Sequence, residues 1–203
     1  MRLVFASNNA HKLAEVRQIM PQGIEILSLH DIGFEAEIEE TGTTLEENSM
    51  IKAREIAAFI GERLTANGER IDGVFADDTG LEIEALGGKP GVYTARWAGE
   101  PAANRKKALA ELADKDNRKA QFRTVITLIK FSAVSGQPSV FQVSGIVRGR
   151  IAEEEYGEGG FGYDPIFIPE GYDKTFGELP PEIKNIISHR ARALEALVKL
   201  LSC

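Results

Sequence analysis

The sequence predicts one α/β domain, because segments with strand patterning and segments with helical patterning are mixed along all 203 residues. The chain contains no internal repeat, low-complexity tract or clear linker that would divide it. A chain of this length can bury a substantial core in one large domain, and it also allows two lobes with a cleft between them.

Composition and charge narrow the class of protein. Hydrophobic residues make up 43% of the chain and charged residues 27%, which is ordinary for a soluble globular protein. The net charge is −7, with 24 basic against 31 acidic residues, and this argues against charge-driven binding to a nucleic-acid polymer. Because the chain has a single cysteine, Cys203, it cannot build a disulfide framework or a cysteine-rich zinc site by itself.

The apolar segments also bear on the compartment. The run at the N-terminus, residues 3–6, is too short for a signal peptide, and polar residues follow it at once. No apolar stretch reaches the length needed to span a membrane. We therefore expect a cytoplasmic protein that does not associate with membranes.

The first strand, turn and helix predict an anion site. Residues 3–6 are typical of a buried strand, residues 7–9 of a helix N-cap, and residues 10–20 of a helix. The free amides of a helix's first turn and the helix dipole both attract anions. Lys12 lies in that turn, where a cation is unfavourable unless a bound phosphate offsets it. A solvated surface lysine is the alternative interpretation.

A long helix is predicted after an acidic connection. Thr44 and Glu47 have capping-box spacing, and the helix that they open should extend to about residue 64. Its predicted buried stripe consists of Met50, Ala53, Ala57, Ile60 and Leu64. Lys52 lies off that stripe, so it can project toward a neighbouring site. Glu40 precedes the cap in a turn and has no capping role, which makes it a candidate metal ligand.

A pair of carboxylates lies near the middle of the chain. Residues 73–76 are typical of a buried strand, Asp77 and Asp78 follow them, and residues 79–80 predict a turn. Carboxylates at a strand end suit a hard cation such as magnesium, although capping of the turn explains these two residues equally well when they are taken alone. The glycine-rich residues 87–91 predict a sharp bend or a close backbone approach.

Further strands are predicted at residues 24–29, 122–134 and 140–148, with a hairpin turn at 135–139 between the last two. The helix predicted at residues 104–112 has three consecutive basic residues near its start, which favour a solvated face. The two strands joined by the hairpin turn, residues 122–134 and 140–148, should extend the sheet.

A second glycine-dense stretch, residues 156–167, places glycines beside aromatic rings. This composition favours a loop that approaches a flat ligand, and aromatic core packing beside an irregular loop is a comparable alternative. Residues 184–201 predict one closing helix, with Ser188-His189-Arg190 near its start. A lone histidine such as His189 is more often structural than a ligand.

Four segments carry a resemblance to a known family. They are Ser7-Asn8-Asn9-Ala10-His11-Lys12, Phe75-Ala76-Asp77-Asp78-Thr79-Gly80-Leu81, Gly160-Phe161-Gly162-Tyr163-Asp164-Pro165 and Ser188-His189-Arg190. With Asn48, Lys52-Ala53 and residues 85–91 added, the ordered set extends over nearly the whole chain. The sequence resembles the inosine triphosphate pyrophosphatase family, which removes non-standard purine nucleoside triphosphates.

The resemblance implies an activity and a fold. It implies magnesium-dependent (Mg²⁺) hydrolysis of ITP, dITP and XTP to the nucleoside monophosphate and pyrophosphate. It also implies one two-lobed α/β domain over residues 1–203, with a long mixed β-sheet flanked by helices, an active site in the cleft between the lobes, and a homodimer.

The resemblance further assigns roles to residues. Asp78 would bind the metal and accept a proton from the attacking water, and Glu40 would be the second metal ligand. The predicted substrate contacts are Ser7, Asn8, Asn9, Ala10, His11, Lys12, Lys52, Thr79, Phe161, Gly162, Tyr163, Asp164, Lys184, His189 and Arg190. Residues 7–12 and Lys52 would contact the phosphates, residues 161–164 would form the base-binding loop, and the last three residues would complete recognition of the nucleotide.

Two other functions remain open at this point. A nucleotide-binding regulator would sense a phosphorylated ligand without cleaving it, although such a sensor needs no general base. A pyrophosphatase of modified pyrimidine nucleotides on a related two-lobed fold would use similar phosphate chemistry. The regulator differs from the purine nucleotide pyrophosphatase in having no turnover, and the second alternative differs from it in base preference.

Overall fold

The computed structural model describes residues 1–61, 65–66, 69–132 and 137–202, and it has the predicted α/β fold with a mixed sheet flanked by helices. The helices are α1 (Ala10–Ile19), α2 (Leu45–Gly61), α3 (Pro101–Glu111), α4 (Pro181–Ile187) and α5 (His189–Leu201). The strands are β1 (Arg2–Phe5), β2 (Glu25–Leu27), β3 (Thr65–Ala66), β4 (Glu69–Arg70), β5 (Gly73–Ile83), β6 (Lys89–Gly91), β7 (Lys119–Lys130), β8 (Ser139–Ile151) and β9 (Phe167–Pro169).

The main sheet has the order β2-β1-β5-β7-β8-β9 within the described residues, and β6 pairs with β5. β1 is parallel to both β2 and β5, whereas the β5–β6 and β8–β9 pairs are antiparallel. By contact density, the first of two compact units comprises Met1–Asp78, Val125–Ser144 and the end of the chain from Ala193. The second unit comprises Thr79–Thr124 and Gly145–Arg192.

The first unit has two apolar clusters. In one of them, α2 contributes Ala53, Ile56 and Ile60. The other contains Phe5 and Phe75, whose rings stack with centroids 4.9 Å apart. Ala53 and Ile60 were predicted in the buried stripe of α2, whereas Met50 and Ala57 are only half-buried and residue 64 lies outside the described residues. α2 also buries three polar side chains whose burial was not predicted, namely Asn48, Ser49 and Lys52.

The second unit has its own aromatic core. Phe122 and Phe167 pack with ring centroids 4.7 Å apart, and Phe176 stacks on Phe167 at 5.5 Å. Leu81 and Ile83 of β5 are completely buried in the same cluster. This core supports the glycine-rich loop that precedes β9.

The predicted end of the central strand is wrong. β5 continues without a turn through Thr79 and Gly80 to Ile83, so Asp77 and Asp78 lie inside a strand. The strand continues because Leu81 and Ile83 bury their side chains and pair with β6, and this outweighs the poor strand propensity of aspartate and glycine. The predicted bend follows immediately, where Gly87 and Gly88 adopt φ values of +64° and +84°.

The prediction of a single closing helix is also wrong. It is divided at Ser188, whose backbone is extended between α4 and α5. The Ser188 hydroxyl accepts a hydrogen bond from the Ala191 amide at 3.2 Å, as an N-cap residue does. His189 and Arg190 therefore occupy the first turn of a new helix.

Other predicted boundaries shift by a few residues. β7 and β8 begin at residues 119 and 139, earlier than the predicted starts at 122 and 140. Residues 133–136, which include the predicted end of the first of these strands and part of the predicted hairpin turn, lie outside the described residues. The second strand, β2, is shorter than the predicted residues 24–29. It ends at Leu27, and a 3-10 turn follows at His30–Ile32. Among the described residues, no helix is both long enough and apolar enough to cross a membrane.

Candidate functional site

The start of α1 is organised by Asn9. Its carboxamide oxygen accepts hydrogen bonds from the amides of His11 at 3.0 Å and Lys12 at 3.1 Å. The Ser7 hydroxyl accepts from the amide of Asn9 at 3.2 Å. The predicted N-cap is therefore confirmed, but the amides of His11 and Lys12 are not free, because the cap already occupies them. A bound anion has to displace the Asn9 side chain to reach both amides.

Asn8, Asn9, Ala10 and His11 form an exposed surface, and Lys12 is the cation beside it. The Lys12 ammonium lies 2.9 Å from Asp77, whose side chain is 2% exposed. Lys12 is thus paired with a buried carboxylate, and the interpretation as a solvated surface lysine is wrong. The pair joins the start of α1 to the middle of β5.

Lys52 connects two further carboxylates. Its ammonium lies 2.6 Å from Glu40 and 3.4 Å from Asp78, and its side chain is 8% exposed. The expectation that Lys52 projects from α2 toward a neighbouring site is confirmed, and the structure shows that this site is acidic. Together with the Lys12–Asp77 pair, the first unit holds three carboxylates and two ammonium groups within one polar cluster, here called the acidic cluster (Lys12, Glu40, Lys52, Asp77 and Asp78).

Burial and charge act in opposite directions on this cluster. Burial raises the pKa of Asp78, and this outweighs the lowering by Lys52 and Lys12, while Glu40 and Asp77 raise it further. Burial also disfavours the charged form of Lys52, but the carboxylates of Asp78, Glu40 and Asp77 together outweigh it and raise the pKa of Lys52. Asp78 is therefore a stronger base than an ordinary aspartate, and Lys52 stays charged.

Asn48 is a part of this site to which the residue patterns assigned no role. It lies one helical turn before Lys52 and is completely buried. Its side-chain amide donates to Asp78 at 3.3 Å, and its oxygen accepts from the backbone amide of Gly42 at 2.8 Å. The four-residue spacing to Lys52 was the available signal, because residues i and i+4 share a helix face.

The donor set of the acidic cluster fits a hard divalent cation whose coordination shell is completed by oxygens of a bound ligand and by waters. In the ranges described, no group of three or more histidine, cysteine, aspartate or glutamate side chains could hold a metal ion by itself. Glu40 and Asp78 nevertheless share one cation already, the Lys52 ammonium. Magnesium is usually held by one or two carboxylates plus phosphate oxygens and waters, so these two residues suffice as protein ligands.

The second unit holds a separate polar cluster around Asp164. Its carboxylate lies 2.7 Å from the Lys184 ammonium and accepts from the amide of Phe161 at 2.7 Å. Both charged side chains are almost fully buried, at 4% and 6% exposure. The Lys184 ammonium also lies 4.4 Å from the centroid of the half-buried Phe161 ring. Asp164 and Lys184 thus fix the position of Phe161.

The loop around Phe161 needs its glycines. A Cβ at Gly160 would overlap the Asp164 carboxylate, and Gly162 has φ of +63°. Arg105 of α3 donates to the carbonyl of Gly162 at 2.9 Å and lies 2.9 Å from Glu155. The expectation that the basic start of α3 is only a solvated face is therefore wrong for Arg105. No local sequence pattern links α3 to this loop, so the contact was not predictable.

The remaining predicted contacts in this unit have different environments. Arg190 is 1% exposed, and its guanidinium lies 5.7 Å from the Phe161 ring centroid. His189 stacks on Phe122 with ring centroids 4.6 Å apart. The Tyr163 ring belongs to the apolar core, its hydroxyl donates to the carbonyl of Thr94 at 3.0 Å, and burial raises its pKa. Tyr163 thus anchors the loop, as the core-packing interpretation predicted, whereas an approach of this loop to a flat ligand stays a prediction.

Thr79 follows Asp78 on β5 and begins the second unit. Its hydroxyl is 2.8 Å from the hydroxyl of Thr124, and either group can donate. The predicted site residues thus fall into two sets within the two units. One set is acidic and lysine-rich, and the other combines a glycine loop with buried cations.

Comparison with known proteins identifies the family. The model of the Ham1 family matches residues 3–200. The dITP/XTP pyrophosphatase of Flavobacterium johnsoniae is 47% identical over 205 residues, covering 100% of this chain and 98% of the relative. That of Bacillus subtilis is 46% identical over 204 residues, covering 98% and 96%. The HAM1 protein structure from Coxiella burnetii has a TM-score of 0.84 at 38% identity, covering 100% and 98%. This chain therefore belongs to the Ham1 family.

Proposed function

We propose that this protein hydrolyses non-standard purine nucleoside triphosphates, namely ITP, dITP and XTP, to the nucleoside monophosphate and pyrophosphate. The names and full-length similarity of the relatives support this reaction. The observation that carries it in this chain is the buried Asp78, which has a raised pKa and is held by Lys52 and Asn48. A protein that only senses nucleotides needs no such base.

Asp78 acts as the general base. A water at its carboxylate loses a proton to Asp78 as the water oxygen bonds to phosphorus at the linkage between the α and β phosphates. The P–O bond of that phosphoanhydride breaks, and pyrophosphate leaves. Burial makes Asp78 more basic, while Lys52 and Asn48 fix the orientation of its two oxygens. Asp77 is paired with the Lys12 ammonium at 2.9 Å.

Lys12 and Lys52 stabilise the charge that develops on the phosphates. Each ammonium has an acidic partner in the acidic cluster, and a triphosphate brings more negative charge than those partners. The exposed surface of residues 8–11 contributes amides once the Asn9 cap yields. Glu40 and Asp78 would hold Mg²⁺, which would neutralise phosphate charge when bound.

The second unit recognises the base. Phe161 offers a half-buried ring face, and Lys184 and Arg190 lie near it. Arg190 and His189 supply donors for the oxygen at the purine six position, which hypoxanthine and xanthine both carry. Adenine presents an amino group there, so a buried donor would face another donor and both would remain unpaired.

Replacing Arg190 by methionine tests this recognition. We expect the kcat/KM for ITP to fall by about 100-fold or more, while the low rate on ATP changes little, because only ITP loses a hydrogen-bond acceptor match. The Arg192→Met variant is the matched control, since Arg192 lies on the same helix but is exposed. Equal losses on ITP and ATP would show that Arg190 holds phosphate or structure and that base selection lies elsewhere.

Replacing Arg105 by methionine tests the positioning of the glycine loop. We expect the KM for dITP to rise by about tenfold with little change in kcat, because Arg105 holds the carbonyl of Gly162 without belonging to the acidic cluster. Lys106→Met provides the control, because Lys106 is the next residue of α3 and is exposed. A fall in kcat with an unchanged KM would contradict this role.

Initial rates on a panel of nucleotides test the proposed function as a whole. With Mg²⁺, dITP and XTP should be hydrolysed at least about 100-fold faster than dATP or dCTP. Preference for dUTP or another pyrimidine nucleotide would favour the alternative pyrophosphatase. Tight binding of dITP without turnover would favour the regulator.

The setting of the reaction is a further part of this proposal. The resemblance supports a homodimer in the cytoplasm, acting on free nucleotides and not on a nucleic-acid polymer or at a membrane. Light scattering after size-exclusion chromatography would give about twice the chain mass of 22.2 kDa. A mass near that of one chain would contradict the homodimer.

A further inference from the structure

Asn48 contacts the acidic cluster through Asp78 although it carries no charge. It is completely buried in the first turn of α2, and both ends of its carboxamide are occupied. The nitrogen donates to Asp78 and the oxygen accepts from Gly42, two residues after Glu40. We infer that Asn48 is a positioning residue that joins the segment carrying Glu40 to the Asp78 carboxylate and so sets their relative position for a divalent cation.

The contact with Gly42 is unusually close. A Cβ at Gly42 would lie 2.6 Å from the side-chain oxygen of Asn48 and 2.9 Å from its backbone nitrogen. Only glycine therefore allows the segment to approach α2 this far. The hydrogen bond from the Gly42 amide is 2.8 Å long. The segment with Glu40 is therefore attached to α2 through Asn48 as well as through the Lys52–Glu40 ion pair.

The two oxygens of Asp78 have different partners. Asn48 donates to Oδ2 at 3.3 Å, and Lys52 donates to Oδ1 at 3.4 Å. Because Asn48 and Lys52 are four residues apart, they act from one face of α2. Each of these two residues thus contacts both Asp78 and the segment from Glu40 to Gly42, Lys52 through its single ammonium and Asn48 through the two ends of its carboxamide.

A carboxamide is suited to both tasks at this position. Asparagine offers a donor and an acceptor on the same planar group, whereas aspartate at neutral pH only accepts and alanine does neither. Groups that orient metal ligands typically change metal affinity or activity by 10- to 100-fold when they are removed. This role rests on the proposed function, because it takes Asp78 and Glu40 as the metal ligands.

The Asn48→Ala variant tests the inference, with Ser49→Ala as the matched control. Ser49 is the next residue of α2, is also completely buried, and bonds Thr127 at 2.6 Å without touching a carboxylate. Four quantities are measured for each protein: Mn²⁺ binding to the protein alone by electron paramagnetic resonance, kcat for dITP, KM for dITP, and the melting temperature. Gly42→Ala serves as a second test, because its Cβ would displace the Asn48 oxygen.

For Asn48→Ala we expect Mn²⁺ binding at least about tenfold weaker and kcat about 10- to 100-fold lower, with a KM within about threefold of the native value. Gly42→Ala should show the same pattern more weakly. Ser49→Ala should lower the melting temperature while Mn²⁺ affinity and kcat stay within about twofold. Native Mn²⁺ affinity and kcat in Asn48→Ala, or equal losses in Ser49→Ala, would overturn the inference.

Failure of the proposed function has a different signature. If the native protein hydrolyses no dITP, or if Asp78→Asn remains active, the assigned reaction or base is wrong. The Mn²⁺ measurement still decides the inference in that case, because it requires no turnover. Unchanged Mn²⁺ affinity in both Asn48→Ala and Gly42→Ala would then reject it.

Discussion

The Asp78→Asn variant is expected to lose at least about 100-fold in kcat for dITP while it keeps its fold. Asparagine preserves the shape and can still receive the Lys52 hydrogen bond, but it has neither the charge to hold a cation nor the basicity to take a proton. Burial disfavours the charged carboxylate, so its removal should change the melting temperature little. Initial rates and thermal denaturation measure the two effects.

Asp114→Asn is the control for this substitution, because Asp114 is an exposed aspartate outside both clusters. It should retain native rates. Near-native turnover in Asp78→Asn would reassign the base. Asp77 would be the next candidate, since its carboxylate lies beside Lys12 in the same cluster.

The second large effect is expected on stability, from Lys52→Met. This substitution leaves Glu40 and Asp78 without their shared ammonium, and removing one partner from a buried charge cluster costs about 3 kcal/mol or more in the free energy of unfolding. Denaturant unfolding at neutral pH measures the loss. Added Mg²⁺ should raise the melting temperature more in the variant than in the native protein, because it replaces the missing positive charge.

The pH dependence of this loss has a definite sign. The pKa of Lys52 is raised above its ordinary 10.5, so its contribution to native stability is complete below that pH and is lost only as the pH rises beyond it. The variant's deficit should shrink toward acid pH, because Asp78, whose pKa is already raised, then takes up a proton. A deficit that is independent of pH would show that lost packing dominates.

A surface ion pair provides the control for Lys52→Met. Lys199 and Glu195 form an i,i+4 pair on α5 whose side chains are 75% and 65% exposed. Lys199→Met should change the free energy of unfolding by no more than about 0.5 kcal/mol. Equal losses in the two variants would contradict a buried charge cluster around Lys52.

The sequence was most informative where a local rule applies. The N-cap at Asn9 and the Thr44–Glu47 cap follow from side chains that bond nearby amides, and both occur in the structure. Lys52 was expected to project from α2 toward a site because it lies off the apolar stripe, and its partners are Glu40 and Asp78. Such inferences need only helix geometry.

Local rules failed where tertiary contacts decide. The strand through Asp78 and Gly80 continues because its far end is buried and paired with β6, which no window around these residues reveals. Likewise, the pairing of Lys12 with Asp77 joins residues 65 positions apart. Asn48 and Arg105 gained roles only from contacts with Asp78 and Gly162, which lie 30 and 57 positions away in the chain.

The identity of the products tests the proposed reaction most directly. The native protein is incubated with dITP and Mg²⁺, and the products are separated by anion-exchange chromatography, with Asp78→Asn as the blank. Cleavage between the α and β phosphates predicts dIMP and pyrophosphate in equal amounts and no dIDP. Formation of dIDP and orthophosphate would mean that the terminal phosphate is removed instead, and it would contradict the proposed reaction.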